Sequence, residues 1–471
     1  MNFARDVVEA ADPGATALVT LGGDGERAEV SFAEVADRSA RLGGALGARG
    51  VERGDVVMTL VGNRADWAYA MVACWRIGAV AQPCIEQLRA KDLRARMDMA
   101  HPRAVVADER NAGVVGEAGF DGALVVVGDP GLYAADAAPA AELGAEDPAL
   151  IVFTSGTAGE PKPIRHAQRY LTGQDVQARH WYGAAPGDLC WCTAASGWSK
   201  SARNAFVAPW LRGASALLHD GRFDPEERLD IIERERVDVL CMAPTEYRAI
   251  AKRAALRPLS HLRHAVAAGE PLNPEVVHAW REGAGLEVHD GYGQTETGAL
   301  TGMPIGPPVR PGSMGLALPG FRVWIDDGEL CVDPATLPTF HLDGPRDRPW
   351  RTGDRVTQDE DGYLWFEGRT DDVIISAGYR IGPFEVESAL VSHPAVAEAA
   401  AVAAPDEVRG QVVRAVVVLR EGHAAGDTLA AELQAHVREL TAPYKYPRIV
   451  EFSDALPKTA SGKIKRAELR G

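Results

Sequence analysis

Residues 151–168 contain the residue types that can hold a polyphosphate, directly after an apolar run that ends at Phe153. The run predicts the end of a buried strand. Hydroxyl side chains and glycines follow, and glycine lets backbone N–H groups approach a ligand closely. The spacing is neither that of a P-loop nor that of a Gly-x-Gly-x-x-Gly turn. Alone, the stretch fits an ordinary surface loop as well as a phosphate site. Its candidate ligand residues are Thr154, Ser155, Gly156, Thr157, Gly159 and Lys162.

A second polar stretch, Asp290-Gly-Tyr-Gly-Gln-Thr-Glu-Thr-Gly298, also follows a predicted strand. Tyr292 can stack on a base, and Thr295 and Glu296 suit a phosphate and Mg²⁺. Farther along, the carboxylate of Asp354 lies in a tight turn, where it can accept hydrogen bonds from both hydroxyls of a ribose. Without other motifs nearby, each stretch would be equally typical of an ordinary polar loop.

Other candidate residues lie after strand ends or near the C-terminus. Trp198 follows a predicted strand and is either an aromatic wall of a pocket or simple core. Gly269 follows another, and a glycine there permits a flat ring to approach the backbone. Lys463 belongs to a basic cluster that, alone, is more typical of a solvated tail. Three further candidate residues are two cationic hydrogen-bond donors and a glycine that would let a ligand pass close to the backbone: Arg369, Arg380 and Gly378.

Composition limits the classes of partner. Acidic residues outnumber basic ones, 66 to 50, in a chain of 471 residues with a net charge of −16. This balance argues against nucleic acid or an anionic membrane as a broad-surface partner. Six cysteines do not predict a disulfide scaffold, and we interpret Cys190 and Cys192 as reduced and packed, with a metal site as the minor alternative. With neither a signal-peptide pattern nor a membrane-length apolar run, we expect a cytoplasmic protein.

Short apolar strands alternate with helical patterns over most of the chain, which predicts parallel βαβ units. We expect an α/β fold with a large N-terminal domain over residues 1–368, built from two doubly wound subdomains and a small β-rich subdomain. A small, mobile α+β C-terminal domain is expected over 369–471. Ligands should bind in the cleft at the carboxyl ends of the strands. Two local predictions are a capping box that begins at Ser31 and a helix cap at Asn63.

Six of these motifs occur in the order found in the adenylate-forming superfamily, which includes acyl-CoA synthetases, peptide-synthetase adenylation domains and luciferases. The motifs cover nearly the whole chain, so we interpret them together and not as separate loops. Asp290–Gly298, Gly269-Glu-Pro-Leu-Asn-Pro-Glu275 and Tyr444-Lys-Tyr-Pro-Arg448 resemble medium-chain acyl-CoA synthetases most. Small departures are Ala158, where threonine or serine is commoner, and the acidic Glu160.

The resemblance implies a role for each matching residue. Thr154 to Lys162 would hold the pyrophosphate end of ATP, Thr295 would contact the α-phosphate, and Glu296 would bind Mg²⁺. Asp354 would bind the ribose with Arg369 beside it, and Asp371 would be the hinge of the C-terminal domain. Lys463 would act during adenylation, and Arg380 during thioester formation. The remaining implied sites are adenine (Gly269, Glu270, Pro271, Asp290, Gly291, Tyr292), the acyl pocket (Trp198, Lys200, Gly293, Ala268) and the CoA tunnel (Gly378, Tyr379).

The implied reaction joins a short- or medium-chain carboxylic acid to CoA with ATP and Mg²⁺, releasing AMP and pyrophosphate. Gly293 lies where acetate-specific relatives carry a tryptophan, which implies a pocket longer than acetate. The segment from Trp198 to Arg203 lacks the aspartate of amino-acid-activating domains. Transfer of the acyl group to a carrier protein, and a relative that has lost its chemistry, remain alternatives. The sequence leaves a monomer and a homodimer equally open.

Overall fold

The computed structural model describes residues 1–23, 25–129, 131–154, 161–458 and 464–470. The strands, numbered along the chain, form four sheets. They are β1 Thr16–Leu21, β2 Arg27–Ser31, β3 Val56–Leu60, β4 Val80–Pro83, β5 Ala104–Ala107, β6 Ala123–Val126, β7 Pro148–Thr154, β8 Lys162–Ala167, β9 Leu189–Cys192, β10 Ser215–His219, β11 Val239–Met242, β12 His264–Ala268, β13 Val288–Gln294, β14 Gly298–Gly302, β15 Leu316–Ala317, β16 Val323–Asp326, β17 Glu329–Val332, β18 Trp350–Gln358, β19 Leu364–Arg369, β20 Ile374–Ser376, β21 Tyr379–Ile381, β22 Val396–Asp406, β23 Gly410–Leu419 and β24 Ile449–Phe452.

Helices connect the strands of the two largest sheets and cover the C-terminal sheet. They are α1 Phe32–Gly47, α2 Ala65–Ile77, α3 Ala90–Ala100, α4 Glu109–Glu117, α5 Gln168–Gly173, α6 Asp175–Gln177, α7 Ala208–Leu211, α8 Pro225–Arg234, α9 Pro244–Arg253, α10 Pro274–Ala284, α11 Pro383–Ser392, α12 Asp427–Leu440 and α13 Arg466–Leu469. Short π-helical turns occur at Ala4–Val8, Ala178–Tyr182 and Arg203–Val207, and 3₁₀ turns at Leu132–Ala134 and Pro334–Thr336.

Two mainly parallel sheets dominate the fold. The nine-stranded sheet has the order β15-β14-β13-β12-β11-β9-β10-β1-β2, and its strands from β13 to β1 are parallel. The six-stranded sheet has the order β6-β5-β3-β4-β7-β8, with an antiparallel pair only at β7 and β8. Their inner parallel strands are almost fully buried, as expected for parallel sheets with covered faces, whereas the edge strands β2, β6 and β8 are partly exposed.

Two smaller sheets follow in the chain. An antiparallel sheet with the order β16-β17-β18-β19 forms the β-rich subdomain. The C-terminal sheet has the order β21-β20-β23-β22, with β24 parallel to β23, and α11 and α12 bury its core. The predicted fold class, a large α/β N-terminal domain with a small C-terminal domain, is confirmed.

Several local predictions differ from the structure. Asn63 does not cap α2, whose N-cap residue is Arg64; the Asn63 side chain bonds Ala194 and Ser196 instead. Ser31 caps α1 through the Glu34 N–H, as predicted. The sequence patterns did not predict the helices α3, α4 and α9 or the alanine-rich strand β22. Among the described helices, none combines the length and the apolar character that crossing a bilayer would need.

Candidate active site

The carboxylate of Asp354 is the centre of the best-defined polar cluster. Asp354 lies on β18, opposite Arg369 of β19, and only 5% of it is exposed. The hydroxyl of Tyr292 donates to Asp354 Oδ2 at 2.5 Å, and Gln294 Nε2 donates to the same oxygen at 2.7 Å. Arg369 Nη1 donates to Oδ1 at 3.1 Å. Burial, followed by the Asp354 charge, raises the pKa of Tyr292 well above its usual value, so the phenol remains a donor.

Tyr292 therefore has a second role in the structure, which is to donate a hydrogen bond to the Asp354 carboxylate. Its ring was predicted to stack on a base, and its hydroxyl holds the carboxylate expected at the ribose. Because Tyr292 and Gln294 lie on β13, and Asp354 and Arg369 on the β-rich subdomain, these bonds join the nine-stranded sheet to the smaller sheet. The predicted ribose and adenine residues thus lie next to each other.

Thr295 and Glu296 lie at the tip of the hairpin between β13 and β14. The tip is held by Thr297, whose Oγ1 accepts from the Gln294 N–H and whose carbonyl accepts from Thr339 Oγ1. The Glu296 carbonyl also accepts the N–H of His341 at 2.9 Å. Within the described ranges, no cation pairs with the Glu296 carboxylate, which is half-buried. A carboxylate on an anchored hairpin, with no described cation beside it, fits a hard cation such as Mg²⁺.

The carboxyl ends of β12 and β13 bring a second polar group together. Lys200 is buried and donates through Nζ to the Ala268 carbonyl at 2.7 Å. A Cβ on Gly269 would lie 3.4 Å from that ammonium, so the Gly269 backbone and Lys200 are neighbours. Glu270 accepts from the N–H and Oγ1 of Thr245 at 2.9 and 2.5 Å. Pro271 follows at the same strand end.

Asp290 is a buried carboxyl at the end of this group. Its Oδ1 accepts the Gly291 N–H at 2.9 Å. Burial raises its pKa to about 8; the Gly291 N–H opposes that shift, and the Glu270 charge adds to it. Asp290 therefore carries a proton at neutral pH and can donate a hydrogen bond towards an adenine.

Replacing Asp290 with asparagine is expected to reduce the dependence of stability on pH. Between pH 3.8 and about 8 the native carboxyl holds a proton that the unfolded one has released. The protonated Asp290 carboxyl therefore makes its full contribution to the free energy of unfolding below pH 3.8. That contribution falls by up to roughly 1.4 kcal/mol per pH unit as the pH rises from 3.8 to about 8. Thermal unfolding of wild type and Asp290→Asn from pH 5 to 8 measures the difference. The exposed Asp37→Asn is the control; parallel curves for wild type and Asp290→Asn would contradict the shift.

Gly293 lies where β13 packs closely against β14, next to a register shift in β13. A Cβ there would lie 2.0 Å from the Gly298 carbonyl oxygen and 2.7 Å from Ala299 Cα. Any side chain at this position would therefore need β14 to move, and the place of Gly293 in the acyl pocket stays a prediction.

Gly293→Ala is expected to destabilise the protein by about 1–3 kcal/mol or more, because the added methyl group meets backbone atoms that cannot rotate away. Differential scanning calorimetry measures the loss. The matched control is Gly113→Ala, in the exposed middle of α4, where a Cβ meets nothing within 4 Å. That control should stabilise by about 0.5–1 kcal/mol. Equal melting temperatures for the two variants would show that β13 can shift freely.

The loop before Lys200 joins the two large sheets. Asn63, beyond β3, donates to the Ala194 carbonyl at 3.2 Å and accepts the Ser196 N–H at 2.9 Å. Ser196 Oγ bonds the Val61 carbonyl. Gly197 has a φ of +98°, and a Cβ there would meet Cys84 within 2.3 Å. Trp198, half-buried, follows at this junction, consistent with its predicted place in a pocket wall.

The phosphate loop is described only at its two ends. Thr154 pairs with Lys162 where β7 meets β8, so the two ends lie side by side. Lys162 is exposed. Ser155, Gly156, Thr157 and Gly159 lie outside the described residues, as does Lys463.

Among the predicted C-terminal residues, only Asp371 has a described contact with the Asp354 cluster, through Arg369. Gly378, with a φ of +83°, turns β20 into β21. Tyr379 is exposed and stacks on Tyr444 with ring centroids 4.4 Å apart. Arg380 pairs with Asp327 of the β-rich subdomain at 3.4 Å. Asp371 lies 3.7 Å from Arg369, between that subdomain and the C-terminal sheet.

Sequence reasoning missed one residue of the Asp354 cluster, Gln294, which donates to the Asp354 carboxylate. Its place between Tyr292 and Thr295 in the same motif was the available signal. The six cysteines are free and buried, as predicted, and the described residues contain no cluster of three or more His, Cys, Asp or Glu side chains that could hold a metal.

Comparison with known proteins identifies the family. The AMP-binding enzyme family matches residues 5–337, and the AMP-binding enzyme C-terminal domain matches 385–463. The chain belongs to the AMP-binding enzyme family. It is 39% identical to the uncharacterized acyl–CoA ligase YtcI of Bacillus subtilis, over 97% of this chain and 92% of that protein. It is 37% identical to mouse acyl-coenzyme A synthetase ACSM3, mitochondrial, over 100% of this chain and 90% of the relative.

A solved structure extends the likeness to three dimensions. The anthranilate CoA ligase AuaEII in complex with anthranoyl-AMP has a TM-score of 0.89 and 27% identity, and the match covers 100% of this chain and 96% of that one. The chain is thus an adenylate-forming enzyme close to medium-chain acyl-CoA synthetases, which are AMP-forming acid–thiol ligases.

Proposed function

We propose that the protein activates a short- or medium-chain carboxylic acid in two steps. In the first, a carboxylate oxygen attacks the α-phosphorus of ATP; a new C–O–P linkage forms and pyrophosphate leaves. In the second, the thiol of CoA attacks the acyl carbon, a thioester forms, and AMP leaves. The observation that carries the proposal is the Asp354 cluster, a buried carboxylate fixed by three donors at the junction of two sheets. Anthranoyl-AMP in the solved relative is an intermediate of this kind.

The described residues support a distribution of roles. Asp354 and Arg369 would bind the ribose, and the strand ends at Gly269 and Gly291 would hold adenine against Tyr292. Thr295 and Glu296 would face the α-phosphate. Mg²⁺, when bound between Glu296 and the phosphates, would neutralise charge that develops during phosphoryl transfer. Magnesium often binds through one carboxylate and substrate phosphates, and a single protein ligand suits that pattern.

Lys463 is proposed to stabilise the transition state of adenylation, and Arg380 that of thioester formation. The same site would need different groups for the two steps, so we propose a boundary at residue 368 and rotation of the C-terminal domain about Asp371. Arg380 pairs with Asp327, and Tyr379, the proposed CoA-tunnel residue next to Gly378, stacks on Tyr444. The expected compartment is the cytoplasm.

Mass spectrometry of reaction products tests the proposal. The protein is given ATP, Mg²⁺ and a panel of acids from acetate to decanoate, with and without CoA. Acyl-CoA and AMP should appear only with CoA present. Acyl-adenylate without a thioester would instead favour a carrier-protein acceptor, and absence of every product across the panel would contradict the proposal.

A further inference from the structure

Residues 338–343, which we call the bridging segment, connect the tip of the β13–β14 hairpin with β8 and α5. All of them are described, and they form neither helix nor strand, so the hydrogen-bond partners of their backbone must come from other elements. Phe340 is fully buried, and Thr339 and His341 are 3% and 5% exposed. The bridging segment is therefore part of the interior of the protein and not a surface loop.

One side of the bridging segment holds the hairpin tip that carries Thr295 and Glu296. The His341 N–H donates to the Glu296 carbonyl at 2.9 Å. Thr339 Oγ1 donates to the Thr297 carbonyl at 2.5 Å. Because both acceptors belong to the main chain of the tip, these bonds fix the backbone from which the side chains of Thr295 and Glu296 project.

The other side of the bridging segment is held by β8 and α5. The Leu342 N–H donates to the Arg165 carbonyl at 2.8 Å. Arg169, which lies on α5 and is 9% exposed, donates through Nη1 to the carbonyls of Pro338 and Phe340 at 2.6 and 2.7 Å. Hydrogen bonds from a charged donor are stronger than those from a neutral one, so Arg169 is the main side-chain anchor of the segment.

The charge of Arg169 is balanced by a different partner. Its Nε donates to Glu146 Oε1 at 2.8 Å, and this hydrogen bond holds the pKa of the exposed Glu146 carboxyl below its usual value. The two bonds from Nη1 to the bridging segment are therefore an additional contact and are not needed to neutralise the guanidinium group. Replacement of Arg169 by methionine would leave the buried carbonyls of Pro338 and Phe340 without this donor.

We propose that Arg169 is a positioning residue for ATP, which fixes Thr295 and Glu296 at a set distance from the start of β8 through the bridging segment. This inference rests on the proposed function and on the predicted contact of Lys162, the first residue of β8, with the pyrophosphate end of ATP. ATP would have to reach Lys162 and the hairpin tip at the same time, whereas an acyl-adenylate has already lost its pyrophosphate. A change in the separation of the two places should therefore impair adenylation and spare thioester formation.

Separate measurements of the two half-reactions test the inference. Adenylation is followed as acid-dependent pyrophosphate release at varied concentrations of ATP with Mg²⁺, and thioester formation is followed from supplied acyl-adenylate and CoA. Arg169→Met should raise KM for ATP and lower kcat/KM for adenylation by about 10- to 100-fold, while thioester formation stays within about twofold of wild type. Arg169→Lys should recover part of the loss, because an ammonium group can still donate to the segment.

Two further variants complete the test. The exposed Arg179→Met, which only removes an i,i+4 pair with Asp175, is the control and should change neither half-reaction. Thr339→Val removes only the hydroxyl that bonds the hairpin tip, and it should show the same division between half-reactions even if Arg169→Met does not fold. Equal loss of both half-reactions, or an unchanged KM for ATP, would make Arg169 a structural residue and overturn the inference. A wild-type protein that catalyses neither half-reaction would contradict the proposed function as well.

Discussion

Asp354→Ala should lower kcat/KM for ATP by about 10²- to 10³-fold, because it removes a fixed acceptor for the nucleotide and leaves buried donors unpaired. Those donors are the side chains of Tyr292, Gln294 and Arg369. Steady-state kinetics at saturating acid and CoA measure the loss. Asp361→Ala, an exposed carboxylate on the same hairpin that pairs with Arg310, is the matched control and should stay within about twofold of wild type.

The same variant can show whether the carboxylate acts on the ribose. Wild type should discriminate against 2′-deoxy-ATP, and Asp354→Ala should discriminate much less, because the hydroxyl has lost its acceptor. If both proteins discriminate equally, Asp354 organises Tyr292 and Arg369 without touching the nucleotide, and the proposed ribose contact is wrong.

Lys463→Ala should lower carboxylate-dependent pyrophosphate release by about 10²- to 10³-fold while sparing thioester formation from supplied acyl-adenylate. Lys463 lies outside the described residues, which end at Lys458 and resume at Ile464. Lys458 and Ile464 form a β-bridge, Lys458 pairs with Glu398 at 2.7 Å, and Arg466 pairs with Glu387 at 2.7 Å. The described chain on either side of this gap is therefore anchored to the C-terminal sheet and its helix.

Measuring the two half-reactions separately tests this division. Lys465→Ala is the control, since Lys465 is two residues away and only pairs with Glu468 on the surface. Equal loss of both half-reactions in Lys463→Ala would contradict rotation of the domain between the steps.

Strand positions and motif order could be predicted because both depend on local patterns. The apolar runs ending at Phe153 and near Ala268 became strands β7 and β12, but the antiparallel partner of β7, strand β8, was not predicted. Pairings between distant residues were not predictable in the same way. The bond from Tyr292 to Asp354 joins residues 62 apart in the chain, and the clash at Gly293 depends on a register shift between β13 and β14.

Polar residues misled the sequence reasoning where their partners came from other elements. The Asn63 side chain is of a type that caps helices, but in the structure it forms hydrogen bonds with Ala194 and Ser196 instead. Helix α9 had a usable signal, a proline at its first position, from which no helix was predicted.

The junction formed by Asn63, Ser196 and Gly197 limits how substrate range can change. Because this loop is bonded to both large sheets, it restrains the position of one sheet relative to the other. Under the proposed function, room for a different acyl group would come from side-chain replacement and not from separation of the two sheets. Substitutions that weaken this junction should therefore lower the stability of the protein before they broaden its range of acids. Single substitutions of side chains that line the acyl pocket should change the preferred acid instead.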